Sequence, residues 1–440
     1  MDLSNLKWID AFIASIKEYV YLRKEEKLLI LLPNQAYQLN DTAVELLSYL
    51  FQGNSIISLS ESITLSEEKI NDIYAFMCDL RAMVMGCFRE SEQRKAVEYI
   101  PYKRYFYTYP ILSELALTHA CNASCTFCYV NCSMASSSEI TTGEAKKLLH
   151  KIKYEAKVPS VSFTGGEPTL RNDLFELIRF ARDTGLRVNL ITNGLLIDEK
   201  YAFALKEAGL NSAQVSLESA DEIIHESLTQ RKGSFQKTVQ ALHALKNAGI
   251  HTHTNSTINQ LNKQSLLQMI DLAAELQLKR LSMNLLMPCG SADERQELWL
   301  SYTEIGDIVL KLRNHAREKG VEFMWYSPTP YCVFNPLQYG LGNKSCAAAH
   351  GLLSIDPCGN IMPCSSLNNP IGNMLEKPFD EIWFSEKARY YRELQFAPKI
   401  CQSCSMLEIC GSACPIYFEK MGYSELCNTL PDSSCYVSEK

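Results

Sequence analysis

The sequence has no run approaching the roughly 18 to 20 consecutive apolar residues that a membrane-spanning helix needs. Its first twenty residues are broken by Asp2, Lys7, Asp10, Lys17 and Glu18, so they lack the apolar core of a secretory signal. Basic residues are also scarce, with 43 Lys and Arg against 50 Asp and Glu and a formal net charge of -7. A protein that neutralises phosphates needs a basic face, so nucleic acid is not an expected partner, and neither is a membrane. Internal repeats and low-complexity tracts are missing as well. What remains is 440 residues with 46% hydrophobic content, enough for two or three cored domains in a cytoplasmic protein.

Against this background the 17 cysteines are the anomaly. A reducing compartment keeps thiols free, and clustered cysteines there bind metal more often than they form disulfides. Cys121, Cys125, Cys128 and Cys132 lie together, while Cys332, Cys346, Cys358, Cys364, Cys401, Cys404, Cys410, Cys414, Cys427 and Cys435 crowd the last quarter. Cys78, Cys87 and Cys289 stand apart, the first two reading as small apolar residues of a helix.

The pattern along the chain divides it in three. Residues 18–39 read as short strands, Glu18–Leu22, Leu28–Leu32 and Ala36–Leu39, followed by helices from Asp41 to Leu50 and from Glu67 to Met85. This suggests a winged-helix-like module over residues 1–95, with the charged 89–95 stretch and the aromatic-rich 99–109 stretch as its connection. Residues 96–330 alternate strand and helix, with strands at Leu115–Thr118, Val161–Thr164, Val188–Thr192, Ala213–Leu217, His251–Ile258 and Leu281–Met287. Helical segments at Thr142–Glu155, Arg171–Thr184, Ser234–Ala248 and Lys263–Leu276 fill the gaps. Such βα units imply an α/β fold with a parallel sheet curling into a partial (β/α)6 barrel, whose chemistry sits in the loops after the strands. Residues 331–440 are cysteine-rich, with little helical period before Phe379–Phe396.

Directly after the first barrel strand comes Cys121-Asn-Ala-Ser-Cys125-Thr-Phe127-Cys128. Three thiolates from one loop leave a four-iron cluster one open site, where a small molecule can bind. With Cys132 as a fourth ligand the same cysteines also read as a zinc site. The next strand decides between them, because Val161-Ser-Phe-Thr164 runs into Gly165-Gly166-Glu167-Pro168. Together these motifs resemble the signature of the radical S-adenosylmethionine (SAM) superfamily. The resemblance implies that the open iron is chelated by S-adenosyl-L-methionine. An electron from the cluster then cleaves that cofactor, and the resulting 5'-deoxyadenosyl radical takes hydrogen from substrate. It also implies cofactor contacts from Phe127, Gly165, Gly166, Glu167, Pro168, Thr192, Asn193, Ser216 and Glu218 at successive strand ends. Many relatives carry Asp where this chain has Glu218. Arg231 either pairs with the methionyl carboxylate or is an ordinary loop arginine. Asn255–Asn259 and Leu286-Met287-Pro288 resemble adenine-side elements.

The tail reads Cys346-x12-Gly359-x4-Cys364, then Cys401-x2-Cys404-x5-Cys410-x3-Cys414, then Cys427, which resembles the SPASM extension. The resemblance implies two auxiliary clusters, making three 4Fe-4S clusters in all. Cys346, Cys364 and Cys414 belong to the first, with Cys332 as candidate fourth ligand and Cys358 less favoured. Cys401, Cys404, Cys410 and Cys427 belong to the second, with Cys435 competing for the last place.

The N-terminal stretch Tyr21-Leu-Arg-Lys, Leu28–Pro33, Tyr37–Asn40 and Leu46-Leu47 resembles precursor-peptide recognition domains, which hold a leader peptide as an added strand. A groove near Ile73, Phe76 and Leu80 is the expected apolar pocket. The expected function is therefore a radical SAM maturase that crosslinks or epimerises a ribosomal precursor peptide, using an external one-electron reductant such as flavodoxin or ferredoxin. A sulfatase-maturing or haem-modifying enzyme is the alternative, and an iron-sulfur electron-transfer protein is the alternative of another class.

Overall fold

A computed structural model describes residues 3–33, 35–62, 66–87, 96–98, 104, 106–130, 132 and 138–427. The chain forms two compact units, Met1–Ile111 and Leu112–Lys440. Among the described residues no helix is long and apolar enough to cross a membrane.

In the first unit β1 (Val20–Arg23), β2 (Leu28–Leu31) and β3 (Gln35–Gln38) form an antiparallel sheet in sequence order. β2 is buried on both faces. Leu29 and Leu31 meet Leu47, Met77 and Leu80 from the helices Asp41–Phe51 and Glu67–Val84, while Leu28 and Ile30 meet Ile111, with Phe106 and Tyr107 packed alongside. Arg23, 1% exposed, fastens the returning segment: its guanidinium donates to Glu26 Oε2 at 2.7 Å and to the Tyr109 and Pro110 carbonyls at 3.0 and 2.6 Å. An additional helix, Trp8–Ile16, precedes the sheet. Its buried Ile9, Ile13 and Ile16 recur at helical spacing, the apolar face of an amphipathic helix, while its Asp10 carboxylate accepts from Ser55 Oγ–H and Ile56 N–H. Leu80 is 2% exposed and belongs to this core, so it does not line an open groove as expected. The 89–95 connection and part of 99–109 lie outside the described residues.

The second unit is built on one sheet. β4 (Leu112–Ala116), β5 (Ser160–Thr164), β6 (Arg187–Thr192), β7 (Ser212–Ser216), β8 (His251–Ile258) and β9 (Arg280–Leu285) pair in parallel in that order, at the six expected places. The sheet goes further than expected on both sides. β10 (Glu322–Trp325) adds in parallel to β9, and β11 (Leu352–Ile355) adds in parallel to β4. β12 (Asn360–Met362) and β13 (Gly372–Asn373) continue it antiparallel, so the ten strands run open from β10 to β13 without closing a barrel. The expected Phe379–Phe396 helix is two helices, Phe379–Trp383 and Glu386–Arg392, because the Ser385 hydroxyl accepts from Ala388 N–H and starts a new helix.

Helices between the strands carry strong start signals. Thr141 and Glu144 form a capping box on Thr142–Tyr154, as Ser301 and Glu304 do on Tyr302–Glu318. Apolar positions on these helices, such as Leu148, Leu149 and Ile152, are fully buried. That packing fixes the strand ends, and the loops beyond them are held from below.

Candidate active site

Beyond β4 the chain turns through Thr118, His119 and Ala120 into the cysteine loop. The glycines after β5 press against that turn. A Cβ on Gly165 would lie 2.4 Å from the Thr118 carbonyl oxygen, and one on Gly166 would lie 2.1 Å from that of Ala120. Gly166 N–H and Glu167 N–H donate to the same two carbonyls at 2.7 and 2.8 Å. The glycines therefore allow a backbone-on-backbone contact that sets the cysteine loop.

Glu167 is fully buried and acts as a junction. Its Oε1 accepts from Thr169 N–H, Thr169 Oγ1–H and Thr192 Oγ1–H at 3.1, 2.6 and 2.7 Å, and its Oε2 accepts from Asn193 N–H at 2.8 Å. Burial keeps its pKa above the usual carboxylate value despite these donors. Pro168 opens the short 3-10 turn that Glu167 caps. The carboxylate thus joins the ends of β5 and β6. Asn193 extends the junction to the cysteines, its Nδ2 donating to Asn122 Oδ1 at 2.7 Å and reaching Cys121 Sγ at 3.9 Å. Hydrogen bonds to such sulfurs tune a cluster's potential.

Cys121, Cys125 and Cys128 are half-buried on one loop. The loop is docked from outside, with Ser124 and Thr126 N–H donating to the Thr229 and Leu228 carbonyls at 3.2 and 2.8 Å. Cys132 comes back to it: its N–H reaches Cys128 Sγ at 3.5 Å, and its thiol bonds with Cys121, whose pKa that contact lowers. Burial raises the Cys125 pKa, and the nearby Glu218 charge adds to it. Phe127 is partly buried and packs against Leu228, Leu286, Ala292 and Leu298.

At the end of β7, Ser216 is half-buried. Glu218, 2% exposed, is pushed up to about 8 by burial, with Thr257 N–H at 2.8 Å as its opposing donor. His225 was not foreseen. It is buried, its Nδ1 accepts from Glu218 N–H at 3.2 Å, and burial pulls its pKa down to about 4. Asn255 pairs with Asn284 at 2.8 Å across β8 and β9, while Asn259 closes a local turn with Asn262. Arg231 lines a cavity of about 70 Å³ with Asn122, Lys232, Ser234 and Lys237, so a cationic pocket adjoins the residue after Cys121.

The tail thiols fall into two groups. Cys346 and Cys414 act on the charge of Cys364, as the expected first set requires. Cys332, expected with them, lies instead with Cys401, Cys404 and Cys410. The reason is local: Tyr331 N–H donates to Cys410 Sγ at 3.4 Å, which draws the neighbouring Cys332 to that side. Cys427 ends the helix Ser424–Cys427, its side chain outside the described residues, as is Cys435. Cys358 takes its place in the turn before β12, where its N–H donates to Asp356 Oδ1 at 2.8 Å.

Buried hydroxyls test whether clusters suit these groups. Tyr302, Thr329 and Ser412 are each at most 1% exposed, and none of their hydroxyls makes a hydrogen bond of normal geometry. Tyr302 neighbours Cys346 and Cys414, Ser412 approaches Cys401, and the Thr329 carbonyl accepts from Cys410 at 3.9 Å. Buried donors without partners are costly, and cluster sulfurs at these places would satisfy them. Among the described residues no three His, Cys, Asp or Glu side chains converge tightly enough for a single metal ion. The fit to clusters rests on the buried hydroxyls beside the thiols.

Residues 115–273 match the radical SAM superfamily, and residues 346–405 match the SPASM iron-sulfur cluster-binding domain. The chain is 28% identical over 327 residues to an AdoMet-dependent heme synthase of Methanosarcina barkeri, covering 69% of this chain and 90% of the relative. It is also 28% identical over 314 residues to a PqqA peptide cyclase of Bradyrhizobium diazoefficiens, covering 69% and 81%. The fold resembles Streptococcus suis SuiB bound to its precursor peptide SuiA, with a TM-score of 0.68 at 17% identity over 92% of this chain and 96% of that one. The cysteine loop and the glycine contact that sets it fall inside the first match, so the second unit carries a radical SAM domain followed by a SPASM domain.

Proposed function

We propose that this enzyme cleaves S-adenosyl-L-methionine reductively and abstracts hydrogen from a ribosomal precursor peptide, installing a crosslink or an epimerised residue. The observation that carries this is the extent of the SuiB likeness. A match over 92% of the chain must reach into Met1–Ile111, since Leu112–Lys440 makes up only about three quarters of the sequence. In this reading the chain has three parts: a leader-recognition module, the radical SAM core and the auxiliary-cluster tail.

Held by Cys121, Cys125 and Cys128, a 4Fe-4S cluster would supply the electron that breaks the cofactor's carbon-sulfur bond. Asn193 would donate to the Cys121 sulfur, while Arg231 and its neighbouring lysines would hold an anionic group of the cofactor. Two auxiliary clusters in the tail bring the total to three, and a flavodoxin or ferredoxin supplies electrons. The leader would add to the free edge of β3, whose end residues Gln35 and Gln38 are exposed. A four-residue edge offers few hydrogen bonds, at about 0.5 to 1.5 kcal/mol net each, against roughly 8 kcal/mol for micromolar affinity. Apolar contact must supply the remainder, and half-buried Tyr37, Ile73 and Phe76 are available for it.

The likeness to heme synthase favours a second reading, in which the substrate is a porphyrin. Fluorescence anisotropy with labelled precursor, comparing the full chain, residues 1–111 and a chain lacking them, separates the two. The peptide reading expects residues 1–111 to bind the leader, and the truncated chain to cleave the cofactor yet process precursor slowly unless peptide is raised. If residues 1–111 bind no leader from a neighbouring open reading frame while a porphyrin stimulates cofactor turnover, the peptide reading fails.

A further inference from the structure

Cys289 lies outside both matched domains and in none of the expected ligand sets. It follows β9 in an extended conformation, φ -147° and ψ 167°, at the start of the turn Gly290–Ala292. That turn is pressed onto the core cysteine loop. Ser291 N–H donates to the Cys128 carbonyl at 2.7 Å, and a Cβ on Gly290 would lie 2.2 Å from the same oxygen. On its other side the Cys289 thiol is hydrogen-bonded by Ser366, two residues after Cys364, and it is among the charges acting on Cys414. Asp293 pairs with Lys420, tying the end of this turn to the helix Pro415–Met421 that starts directly after Cys414.

Cys289 thus lies between Cys128 of the core loop and Cys414, and Cys414 groups with Cys346 and Cys364. The buried Tyr302 hydroxyl, which makes no hydrogen bond of normal geometry, faces the same group, next to Cys346 and Cys414. Cys332, the other thiol available upstream of the tail, is occupied with Cys401, Cys404 and Cys410.

We infer that Cys289 is the fourth protein ligand of the first auxiliary cluster, completing a Cys289, Cys346, Cys364, Cys414 set whose cluster sulfur accepts from Tyr302, while Cys332 serves the second. This rests on the auxiliary-cluster part of the proposed function. Each thiol gives up its proton on binding iron, and the cluster then has no open iron for substrate. One hydrogen bond, Ser291 N–H to Cys128 O, plus two residues of backbone would then join this cluster's ligand to a ligand of the core cluster.

The test uses full-length protein with Cys121, Cys125 and Cys128 replaced by Ala, reconstituted anaerobically to roughly 8 iron per chain. Adding Cys289→Ala is expected to lower iron toward roughly 4, or to retain it with one iron opened. An opened iron is read as a carbon-13 hyperfine coupling when labelled cyanide is added to the reduced protein. Cys346→Ala is the reference and should behave alike. Cys332→Ala, combined with Cys289→Ala, is expected to disturb the remaining cluster as well. If Cys289→Ala does not fold, Cys289→Ser carries the test, with shifted electron paramagnetic resonance g-values expected. Unchanged iron, an unchanged spectrum and no coupling with Cys289→Ala, or a parental spectrum with Cys289→Ser, overturn the inference provided Cys346→Ala shows the effect. If Cys346→Ala is also silent, the auxiliary-cluster reading itself falls.

Discussion

Replacing Glu167 with Gln should loosen the cysteine loop before it touches any chemistry. In the native protein four donors converge on this buried carboxylate, from Thr169 N and Oγ1, Thr192 Oγ1 and Asn193 N. A glutamine can keep its carbonyl oxygen toward the two threonines, but its NH2 must then face Asn193 N–H, donor against donor. The loss is one bond to a charged acceptor plus a buried N–H without partner, about 1 to 3 kcal/mol. Some of this is recovered because an amide has no charge to bury, and burial is what raises the Glu167 pKa. Glu167→Ala removes every acceptor and should cost at least about 4 kcal/mol, a large share of the roughly 5 to 15 kcal/mol that holds a domain folded. Hydrogen exchange of the apo protein, followed by mass spectrometry, localises the effect: protection should fall by about tenfold per 1.4 kcal/mol in peptides covering 165–170 and 192–195. Unchanged exchange with S-adenosylmethionine binding alone abolished would put the carboxylate on the cofactor and refute the junction argument.

Gly166→Ala should abolish incorporation of the core cluster while leaving auxiliary iron at roughly 8 per chain, since its Cβ would meet the Ala120 carbonyl at 2.1 Å and must displace the cysteine loop. Buried His225 has a pKa lowered to about 4, so the unfolded chain binds its proton first and stability falls as pH drops from about 6.5 toward 4. That contribution is on the order of 3 kcal/mol, and urea titrations of His225→Gln should show a flatter pH slope over this window. Arg23→Met should destabilise residues 1–111 by roughly 3 kcal/mol or more, because it leaves Glu26 and two carbonyls without their buried donor; a melting temperature within a degree or two of the parent's would count against this.

The strands of the core were legible because each is a short apolar or alternating run followed by a turn, and parallel strands joined by amphipathic helices can pair in few ways. β10 and β11 were not, since four residues such as Glu322–Trp325 carry too little period to distinguish a strand from a loop. The cysteine motif and the glycines were visible, yet what the glycines press on was not, because the opposing carbonyls of Thr118 and Ala120 come from the turn after a different strand, β4. The resemblance offered Cys332 as the fourth ligand of the first set, whereas the structure has it beside Cys401. The Tyr331 N–H contact to Cys410 that draws it there is a relation across 79 residues. Cys289 offered one signal, isolation between two cysteine-rich regions, and nothing in its neighbours named a partner.

The register of β11 against β4, Leu352 to Leu112 through Ile355 to Leu115, has a consequence for anyone cutting this protein into pieces. Ser354 Oγ also donates to Glu114 Oε1 at 2.8 Å across the same pair. A cut placed at residue 330 would strip β4 of one neighbour and leave its N–H and C=O groups as a bare template for other chains. Such a fragment should come out of expression as aggregate even though every core motif is intact. A tail transplanted from another chain would therefore have to bring a β11 that matches the register of β4, the strand that leads into the cysteine loop.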